Sequence, residues 1–508
     1  MGIPYYFYTL TKTYGNIITN TLPCNPDIYC LDFNGVIHPI CAEHITMMKN
    51  INEEDLIKDL YQKVENDVKK YDPKKTLICV DGIVPLAKMI QQRKRRYLTV
   101  YRNKIDKTDV VWDTNSITPG TGFMKKLNTY FKKQIRYNST KNNIVFSGSD
   151  EYGEGEHKIF EMLLSENDSK SVVINGLDAD LIILCLMSNR KNIYLMRENG
   201  KMTSFVIIEN LRTAILKELI NKWKLSENLL ENIYSNSSKD VIESYCVMCS
   251  LLGNDFIPHL MTLNLKSNGL DKLISYTHKS SMHHGLLVKD GKINYSCLSD
   301  IMQQIAKSED SDIFEETEKY IRKTYHSKNS DSLESDFYAI KHKDEVADKI
   351  YTNPEKWRNT YYKHLFHANV SLDSSVITTA CNNYIVGIYW TYAYYKRSGY
   401  DNTWYYPYAY PPSVRDIYNY AIGNNEPVIA NIPSEINTNI QLMIVLPVES
   451  KSLLEDKYQK MMDDEDMCMK HLYPRKYKIH TYLKTHLWEC SPILPMINLS
   501  YIKNHILN

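Results

Sequence analysis

The chain has 508 residues, of which 43% are hydrophobic and 24% charged, and its formal net charge at pH 7 is +1. This composition is typical of a globular protein with two or more domains. No apolar run approaches the roughly eighteen residues of a membrane helix, and the amino terminus lacks a basic segment followed by an apolar one. These features argue against a membrane protein and against secretion, whereas the near-zero charge neither favours nor excludes nucleic acid as a partner.

The first predicted elements form a β-α-β unit. Residues 28–32 (IYCLD) predict a short buried strand that ends in Asp32, followed by a turn at Asn34 and Gly35. Residues 76–81 (TLICVD) repeat the strand pattern and end in Asp81. Apolar residues at helical spacing lie between them, which predicts a crossover helix and therefore parallel pairing. Both acids are then expected at the carboxyl edge of one sheet.

The segment after Pro85, LAKMIQQRKRRYL, predicts a helix with one basic and polar face. That face carries Lys88, Gln92, Arg95 and Arg96 at helical spacing. A basic helix face is often simply solvated, but this one starts close behind Asp81. A cationic face beside a group of carboxylates suits an anionic substrate at a metal site, and arginine adds bidentate recognition of phosphate.

The next predicted elements bring two glutamates to a helix start. Thr118 and Pro119 predict the beginning of a helix that runs to about residue 133, and residues 143–146 predict a strand. In the GEGEHK sequence that follows, Gly155 separates Glu154 and Glu156. Glycine allows close backbone approach there. Two glutamates in a first turn could also simply complement the helix dipole.

The segment VVINGLDADLIIL (172–184) predicts a buried strand, a turn with Asp178 and Asp180, and the start of a helix. Ligands of open α/β sheets collect outside the carboxyl ends of the strands. Two acids one residue apart between apolar runs are therefore unlike a solvated surface pair. A further predicted helix over 239–252 ends in GNDFIP, which places Asp255 in a turn.

The second half of the chain changes in composition. Residues 308–344 are charged and rich in serine, which predicts a linker or surface segment. Beyond it lies an aromatic-dense region that includes WTYAYYKRSGYDNTWYYPYAYPP. Such aromatic residues are usually core, although they can also form a wall on which bases stack. The predicted division is 1–307 for a catalytic region, 308–344 for the linker and 345–508 for a second, helical region.

The collected acids indicate a metal site. They share positions at predicted strand ends or helix starts: Asp32, Asp81, Glu154, Glu156, Asp178, Asp180 and Asp255. A ligand set made only of oxygen suits Mg²⁺ or Mn²⁺ and disfavours zinc. Two such ions about 4 Å apart can activate water and stabilise a leaving oxygen. Together with the basic helix, the set predicts phosphodiester hydrolysis.

Ten motifs, in order along the chain, resemble those of the Xrn family of 5′-to-3′ exoribonucleases. They are MGIPYYF, LDFNGVIH, VDGIVPLAKMIQQRKRR, SITPGTGFM, GEGEHKI, GLDADLI, GNDFIPHL, WYYPYAYPP, QLMIVLPVESKSLL and WECSPILPMI. The resemblance implies an α/β fold related to flap nucleases and PIN-like domains. In that fold a mostly parallel central sheet is flanked by helices, and a second, mainly helical conserved region packs around it.

The resemblance also implies an activity and a set of roles. The activity is processive hydrolysis of single-stranded RNA with a 5′ monophosphate to nucleoside monophosphates, in RNA degradation. The seven acids match the family's metal ligands for two ions of Mg²⁺ or Mn²⁺. Lys88, Gln92, Arg95 and Arg96 match its 5′-phosphate pocket. His38 matches a residue that stacks on an early base, and Trp404 matches a tryptophan that guides the strand. Taken alone, such a histidine or tryptophan is more often structural.

Two alternatives stay open at this point. The first is a flap-type DNA nuclease, although residues 256–275 lack a convincing helix-hairpin-helix; the second is a non-catalytic RNA-binding scaffold with the same fold, although no metal carboxylate is missing. The cysteine-rich knuckle of nuclear members is absent between Arg197 and Val241. We expect an intracellular protein, with the cytoplasm favoured over the nucleus. The many Tyr, Asn, Ile and Lys residues favour an AT-rich genome, such as that of a large DNA virus.

Overall fold

A seven-stranded sheet forms the centre of the computed structural model, which describes residues 2–3, 5–47, 51–107, 110–138, 143–199, 202–323, 344–463 and 469–507. The strands are β1 (Ile18–Thr19), β2 (Ile28–Asp32), β3 (Lys75–Cys79), β4 (Ile144–Ser147), β5 (Val172–Asn175), β6 (Ile193–Asn199) and β7 (Met202–Ile207). Their spatial order is β1-β7-β6-β5-β2-β3-β4. The pairs from β6 to β4 are parallel, and β7 and β1 add an antiparallel edge.

Helices cover both faces of this sheet and form most of the second half of the chain. They are α1 (Tyr6–Thr13), α2 (Asn34–Met47), α3 (Glu53–Tyr71), α4 (Leu86–Asp106), α5 (Gly122–Asn138), α6 (Gly155–Leu163), α7 (Asp180–Met187), α8 (Ile208–Trp223), α9 (Asn236–Ser250), α10 (Gly269–His284), α11 (Tyr295–Ala306), α12 (Glu309–Arg322), α13 (Glu345–Thr352), α14 (Trp357–Leu365), α15 (Ser374–Lys396), α16 (Val414–Ile422), α17 (Thr438–Val445), α18 (Asp456–Asp463) and α19 (Leu499–Leu507). Two short hairpins pair β8 (Val288–Lys289) with β9 (Lys292–Ile293) and β10 (Ile479–His480) with β11 (Ser491–Pro492). The predicted fold class, a mostly parallel sheet with flanking helices and a helical second region, is confirmed.

The hydrophobic core has one part on each face of the sheet. Tyr29 and Leu31 of β2 point to the face covered by α2, α3 and α5. Ile28 and Cys30 point to the other face, where α6, α7 and α9 pack and where the core continues into the helical second half. Because side chains alternate along a strand, a strand buried on both faces is apolar throughout. This is why the short run IYCL predicts a buried strand.

The predicted turn at Asn34 and Gly35 is wrong, because these residues begin α2. The carbonyl of Phe33 accepts hydrogen bonds from the backbone amides of Val36 and Ile37, which starts the helix directly after the strand. Asparagine and glycine occur in turns and also at helix starts, and only the following residues decide between the two.

The first part of the predicted linker is helical. Helix α12 buries Ile313 and Tyr320 in the same core as the preceding helices. Residues 324–343 lie outside the described residues. The division of the chain into 1–307, 308–344 and 345–508 therefore stays a prediction.

The second half of the chain holds the basic helix α4 in place. Helix α17 packs along α4, and the side chain of Gln441 accepts a hydrogen bond of 3.0 Å from the backbone amide of Val84. The buried guanidinium of Arg93 donates to the carbonyls of Ile444, at 2.7 Å, and of Leu472. Among the residues that the structure describes, no helix combines the length and apolar character needed to cross a bilayer.

Candidate metal centre

Four of the predicted acids lie at the carboxyl edge of the sheet. Asp32 is the last residue of β2, and Asp81 follows the neighbouring strand β3 by two residues. Asp178 and Asp180 follow β5, which pairs with β2 on its other side. The charges of Asp81 and Asp178 both act on Asp32. The parallel order of β5, β2 and β3 thus brings together acids that are far apart in the sequence.

Close backbone packing at Gly155 joins these acids to helix α6. The backbone amide of Gly155 donates to the Asp81 carboxylate at 2.7 Å. A Cβ atom on Gly155 would lie only 2.8 Å from Asp32 Oδ1, so this position accepts no side chain without movement. Asn34 donates to the second oxygen of Asp81 at 3.0 Å. The predicted role of the glycine, close approach of backbone to the acids, matches this geometry.

Helix α6 supplies two more carboxylates and an imidazole that the sequence did not single out. Glu154, Glu156 and His157 are buried, and each offers one ligand atom within 4.8 Å of the other two. Tyr394 of α15 donates a hydrogen bond to Glu154, and its ring lies 4.0 Å, centroid to centroid, from that of His157. Burial lowers the pKa of His157 to about 3, so its ring is neutral at physiological pH.

Asp180 and Asp255 meet at the amino-terminal segment. The backbone amide of Gly2 donates to Asp255 at 3.1 Å. Gly2 has a φ angle of +53°, and a Cβ atom there would lie 2.4 Å from Asp180 Oδ1. The phenol of Tyr395, from α15, also lies against Asp180. Asp180 Oδ1 itself is buried without a hydrogen-bond partner among the described residues.

Lys88 places a cation inside the acid cluster. Its ammonium lies 2.6 Å from Glu154 and 3.0 Å from Asp255, and its side chain is only 12% exposed. These carboxylates raise the pKa of Lys88 above its usual value despite burial. Burial alone would raise the pKa of Asp255, but Lys88 holds it well below its usual range.

Four acids of the cluster have raised pKa values. Burial, and then the charge of Asp255, raise the pKa of Asp180 to about 7. Burial and neighbouring carboxylates raise the pKa values of Asp32 and Glu156 well above their usual range. Burial also raises the pKa of Glu154, although Lys88 opposes the shift. Uncompensated buried carboxylates with an orphaned oxygen fit a hard divalent cation, which oxygen ligands prefer.

The basic face of α4 carries polar groups that the protein leaves without partners. Among the described residues, Gln92 Oε1 and Arg96 Nη1 are buried and lack a hydrogen-bond partner. Burial, and then the neighbouring Arg95, lower the pKa of Arg96 to about 9, so its guanidinium stays charged at neutral pH. Arg95 is exposed, and its charge acts on Asp255. The face predicted to bind phosphate therefore borders the acid cluster.

The two predicted base-contacting residues differ in their surroundings. His38 keeps solvent-exposed surface on α2. The protein around the imidazole keeps water from its charged form and so lowers its pKa to about 4, and the charges of Arg95 and Arg96 act in the same direction. The ring of Trp404 is half-buried, 5.2 Å from the ring of Trp390, and packs against Gly387. The stacking roles of His38 and Trp404 stay predictions.

Two cavities adjoin the centre. One, of about 810 Å³, is lined by Asp178 and Asp255, by Gly2, Ile3 and residues 5–8 of the amino-terminal segment, and by Arg197 and Lys266. The other, of about 360 Å³, lies along α4 and is also lined by Asp255. The acid cluster is therefore accessible from outside the protein through space large enough for a nucleotide.

The raised pKa values predict how pH affects the metal-free protein. A carboxyl whose folded pKa is raised binds its proton more tightly in the folded state, so its contribution to stability is lost as pH rises through the folded pKa. The lowered pKa of His157 affects stability only below about pH 6.5. We expect the free energy of unfolding in a chelator to fall between pH 6.5 and 8. The slope is about 1.4 kcal/mol per pH unit for each carboxyl that is protonated in the folded state and ionised in the unfolded state.

Thermal and denaturant unfolding in a chelator and in Mn²⁺ check this expectation. Glu309, outside the cluster, also has a pKa raised to about 7 by burial and adds to the same trend. The control is therefore the addition of Mn²⁺, which should raise the free energy of unfolding more at pH 8 than at pH 6.5. A stabilisation by Mn²⁺ that does not depend on pH would contradict the expected role of the acids.

Comparisons with known proteins agree along nearly the whole chain. Residues 1–199 match a family model described as "XRN 5'-3' exonuclease N-terminus", and residues 236–338 and 321–505 match one described as "Xrn1 helical domain". Among curated proteins, 98% of the chain aligns with human 5'-3' exoribonuclease 1 at 27% identity, with the Drosophila melanogaster 5'-3' exoribonuclease 2 homolog at 22%, and with Schizosaccharomyces pombe 5'-3' exoribonuclease 1 at 24%.

The chain spans only part of the length of each of these relatives. It covers 33% of the human protein, 48% of the fission-yeast protein and 70% of the fly protein. Among solved structures, a bacteriophage T5 D15 flap endonuclease in complex with DNA and metal ions aligns with 73% of this chain and 97% of its own. The identity is 8% and the TM-score 0.29, too low to support any statement about this chain.

Proposed function

Because this chain belongs to the XRN family of 5′-3′ exonucleases, we propose that it hydrolyses single-stranded RNA from a 5′ monophosphate end and releases nucleoside 5′-monophosphates. The observation that carries the proposal is the adjacency of two unsatisfied groups. Among the described residues, Asp180 Oδ1 is a buried carboxylate oxygen without a hydrogen-bond donor, and Arg96 Nη1 on α4 is a buried donor without an acceptor. A divalent ion would serve the first group, and the 5′ phosphate of an RNA would serve the second.

The acids around Asp32, Glu156 and Asp180 would hold Mg²⁺ or Mn²⁺, with two ions as the expected number. Such ions, when bound, lower the pKa of water and stabilise charge on phosphoryl oxygens. Gly155 and Asn34 bind the Asp81 carboxylate, and Tyr394 binds that of Glu154, so hydrogen bonds fix the positions of these two ligands.

The residues of α4 would select the RNA end. Arg96 offers a buried guanidinium whose Nη1 has no hydrogen-bond partner among the described residues, Gln92 adds a buried amide whose Nε2 can donate, and Arg95 adds an exposed charge at the mouth. A monophosphate can accept hydrogen bonds from these groups, which would place the first phosphodiester bond beside the acids. A larger 5′ group would have to displace buried side chains, whereas a 5′ hydroxyl would leave the Arg96 guanidinium without an anionic partner.

The experiment uses purified protein, Mg²⁺ and 3′-labelled RNAs that differ only in a 5′ monophosphate, triphosphate or hydroxyl. Charge-assisted hydrogen bonds contribute about 1.5–3 kcal/mol, which is roughly 10- to 100-fold in kcat/KM. We expect the monophosphate RNA to be degraded faster by at least that factor, to nucleoside 5′-monophosphates and only with a divalent ion. Equal rates for the three ends would contradict the proposed selection.

A variant on the basic face makes the test specific. Arg96→Met removes the buried guanidinium and keeps an apolar side chain of comparable length. We expect it to reduce the ratio of kcat/KM for monophosphate RNA to kcat/KM for hydroxyl RNA by about tenfold. The free energy by which a divalent ion stabilises the protein should change little, since Arg96 has no ion-pair partner among the described carboxylates.

The two alternative functions give different results in the same assay. A flap-type DNA nuclease would cut branched DNA in preference to linear RNA. A scaffold would bind RNA without any metal-dependent product. A scaffold would have no need of a carboxylate cluster next to α4, and residues 256–275 lack the helix-hairpin-helix expected of a flap-type nuclease.

An intracellular location, with the cytoplasm favoured, is part of the proposal. Cys30, Cys79 and Cys185 are buried free thiols in the core. Such thiols fit a reducing compartment, where structural disulfides are rare.

A further inference from the structure

We propose that His157 is a nitrogen ligand of a divalent cation held by Glu154 and Glu156. The inference rests on metal binding in the proposed function, and it adds an imidazole to a ligand set that the sequence predicted to contain only oxygen. Its chemical consequence is a preference of this site for a transition-metal ion such as Mn²⁺ over Mg²⁺.

The first support is the environment of the imidazole. His157 is 9% exposed, and its Nε2 atom has no hydrogen-bond partner among the described residues. A buried polar atom without a partner is rare in native proteins and calls for an explanation. A ring nitrogen that no protein group contacts can offer its lone pair to a metal ion.

The second support is distance. The ligand atoms of Glu154, Glu156 and His157 all lie within 4.8 Å of one another. Ligand atoms lie about 2.0–2.2 Å from ions of this kind, so two ligands of one ion can be roughly 4 Å apart. The three donors therefore need only a small inward movement to bind a single ion.

The third support is that the ring is held in place independently of any ion. The Tyr394 ring packs against the imidazole at 4.0 Å, and its hydroxyl binds Glu154. One side chain from α15 thus positions both an oxygen donor and a nitrogen donor. Metal-binding histidines are commonly oriented by such surrounding groups.

Nitrogen ligation would change the metal preference. Mg²⁺ takes oxygen ligands almost exclusively, whereas imidazole binds first-row transition ions readily. Removal of His157 should therefore weaken Mn²⁺ binding more than Mg²⁺ binding. A residue that serves only packing would affect both ions equally.

The test is electron spin-echo spectroscopy of the full-length protein with substoichiometric Mn²⁺. We expect a ¹⁴N coupling typical of a bound imidazole, and its replacement by a ¹⁵N coupling when only histidine is ¹⁵N-labelled. His157→Gln should lose this coupling and bind Mn²⁺ on the order of tenfold more weakly, with a smaller change for Mg²⁺. The matched control is His44→Gln, which removes another buried histidine, paired with Asp59 on the far side of the sheet, and should keep the coupling.

The wild-type measurement decides the proposal even where a variant fails to fold. Bound Mn²⁺ without a histidine coupling would overturn the role of His157 and leave the proposed exonuclease intact. A coupling that persists in folded His157→Gln would overturn it as well. A protein that binds no Mn²⁺ at all would contradict both this inference and the metal dependence of the proposed function.

Discussion

Replacing Asp180 by asparagine is expected to abolish most activity while making the metal-free protein more stable at pH 8. Asp180→Asn keeps the shape of the side chain but removes the charge that would hold a cation. Metal-ion stabilisation of a reacting phosphate contributes several kcal/mol, so a loss of about 4 kcal/mol lowers kcat/KM roughly 10³-fold. RNA with a 5′ monophosphate and Mg²⁺ provides the assay.

The stability gain follows from the pKa of Asp180, which burial and Asp255 raise to about 7. Above that pH the folded wild type holds an unfavourable buried charge, and asparagine has none. In a chelator, the variant should therefore exceed the wild type in free energy of unfolding at pH 8, with a smaller difference at pH 6.5. Divalent ions should stabilise the wild type more than the variant.

Asp27→Asn is the matched control for Asp180→Asn. Hydrogen bonds from Lys74 and Ser171 lower the pKa of Asp27 to about 2, so its charge is favourable in the folded state. This variant should lose a little stability at pH 8 and keep its activity. An Asp180→Asn protein with near wild-type activity would rule out Asp180 as a metal ligand, and a large loss of stability at pH 8 would contradict the charge argument.

The acids at strand ends could be predicted because their signal is local. An apolar run of four or five residues followed by Asp32 or Asp81 indicates a buried strand and a carboxylate at its end. A parallel sheet then brings such ends together whatever the loop lengths between them. The basic face of α4 was recognisable for the same reason, since helical spacing alone places Gln92 and Arg96 on one side.

The parts of the site that sequence reasoning missed depend on contacts between distant segments. Gly2 lies against Asp180 and Asp255 only because the chain start packs on the sheet edge. Tyr394 and Tyr395 belong to an aromatic run that was interpreted as core or as a stacking wall, and nothing local marks them as partners of acids. The proximity of His157 to the acids beside it could have been suspected from GEGEHK, since it follows Glu156 directly.

Helix starts were the weakest local predictions. Thr118 was expected to cap α5, but the helix begins at Gly122. The hydroxyl of Thr121 accepts a hydrogen bond from the amide of Met124, whereas the hydroxyl of Thr118 donates to the carbonyl of Asn115. Two threonines three residues apart carry the same capping signal, and the preceding 3-10 turn at Thr114–Ser116 decides which one is used.

Lys88→Met is expected to destabilise the metal-free protein strongly and to lower activity, because Lys88 is expected to stabilise the acids and also to bind the RNA. In the metal-free protein its ammonium forms ion pairs with Glu154 and Asp255 at 2.6 and 3.0 Å. On the proposed function, divalent ions take over that charge and free Lys88 to contact the 5′ phosphate. Removing one partner of a buried ion pair typically costs about 3–5 kcal/mol. The cost should be greatest at pH 8, since at lower pH the orphaned carboxylates take up protons.

Unfolding of Lys88→Met in a chelator and in Mn²⁺ separates these two roles. The difference from the wild type in free energy of unfolding should shrink with Mn²⁺, whereas the loss of activity on 5′-monophosphate RNA should persist. Lys94→Met is the control on the same helix: Lys94 has no ion-pair partner among the described residues, and burial lowers its pKa to about 8. Its removal should not destabilise the protein. If the two variants unfold alike, or if Mn²⁺ leaves the stability loss of Lys88→Met unchanged, Lys88 does not take the place of a divalent ion in the metal-free protein.

If the stability loss disappears with Mn²⁺ and activity returns with it, Lys88 only stabilises the acids. Selection of the RNA end must then depend on Gln92, Arg95 and Arg96.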